Sequence, residues 1–104
     1  MVDLELKATE KKYIQFIIKD ADGNLYNLSG CSATIQIQKY GESTVSLTKS
    51  LSISDPTNGI CQMYYDGDLN PGDYRAEIEI TTAAGLKYIT PIFTIRVLED
   101  IPID

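Results

Sequence analysis

Leu69-Asn70-Pro71-Gly72-Asp73-Tyr74-Arg75-Ala76-Glu77-Ile78-Glu79-Ile80 decides the architecture of this chain. A Pro-Gly turn leads into a Tyr, and the residues after it alternate between apolar and charged. Tyr74, Ala76, Ile78 and Ile80 fall on one face of an extended strand, and Arg75, Glu77 and Glu79 on the other. A Tyr near the start of a late strand can tie its hydroxyl back to the main chain just upstream, a tyrosine corner. The stretch therefore predicts a β-sandwich with one face of this strand in the core.

Strand signals of the same kind recur on both sides of it, separated by turn residues, as expected of an all-β sandwich. Val2, Leu4 and Leu6 alternate with charges. Tyr13 to Ile18 is denser and reads as a central strand covered on much of both faces. Asp20 to Asn24 is a tight turn with Gly23 or Asn24 at positive φ. A short extended piece, Leu25 to Leu28, follows. Cys31, Ala33, Ile35 and Ile37 point inward from the next strand, while Ser32, Thr34, Gln36 and Gln38 point out. Thr44 to Ile53 reads as one bent or two short strands, with room for a single helical turn at most over Leu51 to Asp55. Asp55-Pro56-Thr57-Asn58-Gly59 is the strongest turn, since Pro pre-sets φ and Asn-Gly supplies a positive one. Cys61, Met63 and Tyr65 share a face. Leu86 to Thr90 and Ile92 to Leu98 form the last strand, broken at Pro91. The prediction is one immunoglobulin-like antiparallel β-sandwich domain of roughly seven to nine strands over residues 1–104.

Composition narrows the function. The 104 residues carry a net charge of −6, which opposes a phosphate backbone, so nucleic acid is not expected as a partner. The sequence has no His, the commonest general base and metal ligand, and no Trp. Without His, neither a Ser triad nor a papain-like Cys nucleophile can be assembled. The glycines stand singly at turns and do not form a phosphate-binding loop. No apolar run reaches membrane-spanning length, and the N-terminus lacks the pattern of a secretory leader, so neither membrane nor secretion is expected. Cys31 and Cys61 lack metal-ligand spacing. A bridge between them is open to facing strands, but two reduced thiols are the expectation for a chain without a leader.

The carboxylates offer one calcium-loop candidate: Asp66, Asp68 and Asn70 at the first, third and fifth positions and Glu77 at the twelfth. Pro71 stands where such a loop needs Gly, and Glu77 sits inside an alternating strand, so a polar turn is the reading adopted. Asp20, Asp22 and Asn24 form a second acidic turn with the same reading. Asn27-Leu28-Ser29 matches a glycosylation sequon, with meaning only in a secreted eukaryotic chain. No catalytic, cofactor or metal residue is assigned, and no cofactor is expected. Of the seven tyrosines, Tyr13, Tyr65 and Tyr74 fit core or corner positions, and Tyr26, Tyr40, Tyr64 and Tyr88 fit exposed ones. Exposed tyrosines pair across strands and also anchor interfaces.

The order of the turns carries a resemblance. Phe16-Ile-Ile-Lys-Asp20, Asp22-Gly23-Asn24 and Asn27-Leu28-Ser29-Gly30 precede Ala33 to Lys39; Ile53-Ser-Asp55, Asn58-Gly59 and Gly72-Asp73-Tyr74 follow. This order resembles the immunoglobulin-like N-terminal module of phage baseplate upper proteins and similar modules of tailed-phage structural proteins, over about residues 13 to 98. Ser29 stands where that pattern usually has Thr. The family's baseplate proteins continue into long further domains, whereas this chain stops at Asp104. The resemblance implies a non-enzymatic virion part, synthesised in the host bacterial cytoplasm. Such a part docks on capsid, neck or tail/baseplate proteins as a decoration or accessory, with self-association as a trimer or hexamer possible. Val2 to Lys7 and Ile101 to Asp104 are candidate docking arms, although the first also suits pairing within its own domain. The alternative from another class is a carbohydrate- or host-surface-binding β-sandwich module.

Overall fold

The computed structural model describes residues 2–100. It contains eight strands: β1 (Leu4–Lys7), β2 (Lys11–Ile17), β3 (Ser32–Lys39), β4 (Leu47–Asp55), β5 (Ile60–Asp66), β6 (Gly72–Thr81), β7 (Lys87–Ile89) and β8 (Phe93–Leu98). The hydrogen-bonded order is β1-β8-β6-β3-β4-β5-β2, with β7 paired to β6. This is the immunoglobulin-like β-sandwich that the alternation predicts. One pair departs from the antiparallel rule, since β1 runs parallel to β8 with Leu4 opposite Ile95 and Leu6 opposite Val97. The first strand thus pairs inside its own domain. The tail Ile101 to Asp104 lies outside the described residues.

A single strand joins the two layers. The first part of β4 pairs with β3 through Leu51, and from Ser52 onward it pairs with β5, with a register shift between Ile53 and Asp55. A bulge bends and twists a strand locally, which lets β4 pass from one sheet to the other. Of the Thr44 to Ile53 segment, Leu47 onward is thus one bent strand, which runs on to Asp55. The helical turn lies after it, as a 3-10 turn at Pro56–Asn58 capped by Gly59 at φ 67°. A side chain at Gly59 would meet the Ile18 carbonyl oxygen at 2.7 Å and the Tyr26 carbonyl oxygen at 2.8 Å, so close approach as well as φ requires glycine here.

The long strand β6 pairs with β3 along its length. On its other side it takes β8 over Gly72 to Ala76 and β7 over Glu79 to Thr81. Pro91 interrupts that second neighbour because it has no N–H to give. Thr90 bridges the break: its N–H donates to the Ile78 carbonyl at 3.0 Å, and its hydroxyl accepts from the Ile78 N–H at 2.9 Å.

The inward faces meet in one core. Ile35, Ile37, Ile78, Ile80, Ile95, Val97 and Leu6 come from one sheet, Ile14, Cys61, Met63 and Tyr65 from the other, and Leu28 and Leu69 from loops. Each fully buried aliphatic of this size contributes about 1.5–3 kcal/mol by leaving water. Apart from Cys61 and the tyrosines Tyr65 and Tyr74, no side chain with a polar group is buried among the described residues. Cys31 stands half-exposed just before β3, short of the core position the alternation predicts for it, and both thiols are free.

Two tyrosines lock the turn before β6. The Tyr74 hydroxyl donates to the Asn70 carbonyl at 2.7 Å, which makes the tyrosine corner. The buried Tyr65 donates to the Ala8 carbonyl at 3.1 Å and so ties β5 to the β1–β2 turn. Burial raises the pKa of both hydroxyls above the ordinary tyrosine value. Tyr13 differs from expectation: it is 66 % exposed. The reason is that it alternates with Ile14 and Ile18 and so points to the outer face of its sheet, which no layer covers; β2 is also an edge strand, pairing with β5 alone, and not the central strand expected.

Candidate functional site

The side chains that alternate outward from β2 and β5 form complementary cross-strand pairs. Lys11 stands opposite Asp66, Tyr13 opposite Tyr64, Gln15 opposite Gln62 and Ile17 opposite Ile60. The Lys11 ammonium lies 3.3 Å from the Asp66 carboxylate. The Tyr13 and Tyr64 rings sit 5.1 Å apart at 52°, a tilted pair of the kind aromatic quadrupoles favour. Ile17 is 59 % and Tyr64 43 % exposed, so this sheet face shows solvent an aromatic pair and an aliphatic residue separated by two amides.

The same strand has a free edge. The Ile18 N–H donates to the Gly59 carbonyl at 2.8 Å, and the Ile18 carbonyl accepts from Tyr26 at 2.9 Å. Main-chain groups alternate sides along a strand, so Ile14, Phe16 and Ile18 turn theirs toward β5. Tyr13, Gln15 and Ile17 therefore turn their N–H and C=O groups away from the sheet. Between this edge and the edge of the other sheet runs an apolar cleft of about 260 Å³, lined by Leu4, Phe16, Ile78, Thr90 and Phe93 among others. The Phe16 and Phe93 rings approach to 5.8 Å across it.

The acidic turns are held together by the chain's own groups. Asp68 lies 2.6 Å from the Lys49 ammonium, which also donates to the Tyr64 carbonyl at 2.7 Å, and Asp68 accepts from the Asp66 N–H. Partial burial opposes the charge on Asp68, but Lys49 and the backbone N–H groups around it together outweigh this and hold the carboxyl below the usual range. The Asn70 carbonyl is taken by Tyr74. Glu77 stands on the outer face of its sheet opposite Gln36. The four calcium-loop candidates are thus spread between a lysine-neutralised turn and a sheet face. In the second turn, Asp20 accepts from the N–H groups of Asp22 and Asn24, the self-contained bonding of an Asx turn. Among the described residues, no three His, Cys, Asp or Glu side chains are grouped to hold a metal ion. Asn27 of the sequon accepts from the Ser29 N–H at 2.9 Å.

At the other end of the sandwich Tyr26 and Tyr88 stack at 5.1 Å and 13°, and the Tyr88 hydroxyl donates to the Lys19 carbonyl at 2.9 Å. Both rings are half-buried. Of the tyrosines expected outside, Tyr40 and Tyr64 are exposed while Tyr26 and Tyr88 are half-buried, and Tyr13, expected in the core, is exposed. The signal for Tyr13 was its alternation with Ile14, Phe16 and Ile18, which puts it on the opposite face from three core residues.

No family model and no curated protein sequence matches this chain. Among solved structures, CopC from Methylosinus trichosporium OB3b is similar at a TM-score of 0.60 and 10 % identity, covering 100 % of this chain and 91 % of that one. At that identity the likeness establishes the β-sandwich fold and nothing of the site.

Proposed function

We propose that this domain is a non-enzymatic structural part of a tailed-phage virion. It docks on capsid, neck or tail/baseplate proteins as a decoration or accessory, and is made in the cytoplasm of the host bacterium. The observation that carries a docking role is the solvent-facing surface of β2 and β5, where Tyr13, Tyr64 and Ile17 stand exposed on a rigid sheet. Tyrosines on a rigid support give large contact area at low entropy cost, which suits an interface anchor. The order of turns shared with tailed-phage modules supplies the virion assignment. The acidic surface fits a protein partner with basic patches better than nucleic acid.

The test is the protein content of purified phage particles. The reading expects this chain in particles at a fixed ratio to a capsid or baseplate protein, and loss of incorporation when Tyr13 and Tyr64 are both replaced by Ser. Particles without the chain overturn it.

A second reading is favoured by one detail. The Gln15 and Gln62 amides flank the Tyr13–Tyr64 pair, an arrangement that offers a sugar ring both an aromatic surface and hydrogen-bonding groups. Binding to a glycan array that disappears in the same double variant supports that reading.

A further inference from the structure

We propose that β2 pairs with β2 of a second copy, antiparallel across a two-fold axis at Gln15, joining the β2–β5 sheets of two domains into one. This rests on the geometry of the strand and stands apart from the virion assignment.

Edge strands are normally blunted by charge, Pro, bulges or shortness. The other end of the strand order follows this rule, because β1 has four residues, of which Glu5 and Lys7 are charged and exposed. β2 opens with the exposed Lys11 and Lys12, but it is longer, with seven residues in unbroken register with β5, and the five from Tyr13 to Ile17 carry neither charge nor Pro. Its outward main-chain groups at Tyr13, Gln15 and Ile17 are three donors and three acceptors, with no second strand among the described residues.

The occupant follows from self-complementarity. With Gln15 on the axis, Tyr13 of each copy faces Ile17 of the other, an aromatic against a β-branched residue, a favoured cross-strand pair. On the core side Ile14 faces Phe16, again twice. All three outward-turned residues of each strand then find partners. An axis at Ile14 would set Lys12 against Phe16 and Lys11 against Ile17. An axis at Phe16 would set Tyr13 against Lys19. The shifted registers set Tyr13 against Gln15 or Lys19 and so lose the Tyr13–Ile17 match. In the favoured register Lys12 faces Ile18 and Lys11 faces Lys19 at the two ends, where Glu10 already balances the Lys12 charge and Asp66 the Lys11 charge, and solvent screens the remainder.

The contact is small. Seven residues of strand run about 24 Å, so pairing covers on the order of 500 Å² in total, below the roughly 1,200 Å² of a stable complex. The dimer is therefore weak and reversible in dilute solution, and it forms fully where copies are already crowded on a common support.

Sedimentation equilibrium over micromolar to millimolar concentration tests this, with amide exchange read at both ends. The expected result is a monomer–dimer equilibrium, with slowed exchange at Tyr13, Gln15 and Ile17 only at high concentration. Gln15→Pro removes a donor that the monomer does not use and abolishes the dimer. Gln15→Lys and Gln15→Glu each weaken self-association by about fivefold, and mixing these two variants restores it. The charge pair keeps the test valid if the proline variant fails to fold. A monomer throughout, or association unchanged in the folded Gln15 variants, overturns the proposal. Neither outcome bears on whether the chain is found in phage particles.

Discussion

The hydroxyl of Tyr74 donates to the main-chain carbonyl of Asn70, four residues upstream, at 2.7 Å. Tyr74 opens the buried face of β6, and Asn70 lies in the turn that aims β6 at its neighbours, so one bond joins the turn to the core. Replacing Tyr74 by Phe leaves the ring packed but the Asn70 carbonyl without this donor. The expected loss of stability is about 1–2 kcal/mol in urea unfolding, with the m-value unchanged. A smaller effect than about 0.3 kcal/mol would mean that water replaces the bond without loss.

Gly59 and Gly23 both sit at positive φ, 67° and 83°, but in different surroundings. A Cβ on Gly59 meets two carbonyl oxygens closer than 3.0 Å, whereas a Cβ on Gly23 meets nothing within 4 Å. Gly23→Ala therefore shows only the conformational cost, about 1 kcal/mol. Gly59→Ala costs more than about 2 kcal/mol, since the β4–β5 turn must move as well. Parallel thermal melts check the ordering, and equal effects would contradict the close approach.

The two thiols differ in access. Cys61 is fully buried, and burial pushes its thiol up to about 11, so it is neither reached nor ionised at neutral pH. Cys31 is half-exposed. Native protein treated with iodoacetamide at pH 8 takes up a single label, at Cys31, and unfolded protein takes up a second. Peptide mapping by mass spectrometry reads the result, and labelling of Cys61 without unfolding would show that the core opens.

Three carboxylates set the acid limit of the fold. Asp3 is lowered by the Thr94 N–H and hydroxyl, and Glu10 by the Lys7 N–H and then Lys12. Burial raises Asp68, but Lys49 and the Asp66 N–H together lower it overall. A group with a lowered folded pKa stabilises above its unfolded value, here 3.8 for Asp3 and Asp68 and 4.5 for Glu10, and loses that contribution as pH falls through the folded value. Stability is therefore level from pH 7 to about 5 and declines below about 4.5. Asp68→Asn lowers stability at pH 7 by about 1 kcal/mol and flattens the acid decline, as melts from pH 7 to 2.5 would show.

Much of this was legible locally. The alternation of β3, β5 and β6 named the core residues of those strands, because a side-chain period of two is a property of the strand itself. The Pro-Gly-x-Tyr start of β6 announced the tyrosine corner, and Asn58-Gly59 announced a positive φ, since both depend on a few adjacent residues. Pro91 marked its own break for the same reason.

What the sequence by itself determined is the β class, the inward faces and the turns. What only the tertiary structure decided is which strands are neighbours. The dense apolar run Tyr13 to Ile18 reads as a covered central strand, yet it lies at an edge, because strand order comes from contacts between residues far apart in the chain. Ile17 and Tyr13 find their partners in Ile60 and Tyr64, more than forty positions away, on a face that solvent reaches. The parallel seat of β1 beside β8 and the passage of β4 between the sheets are decided in the same way. Local pattern fixes how a strand turns its side chains, and the closing of the whole sandwich fixes which strand is left with an open edge.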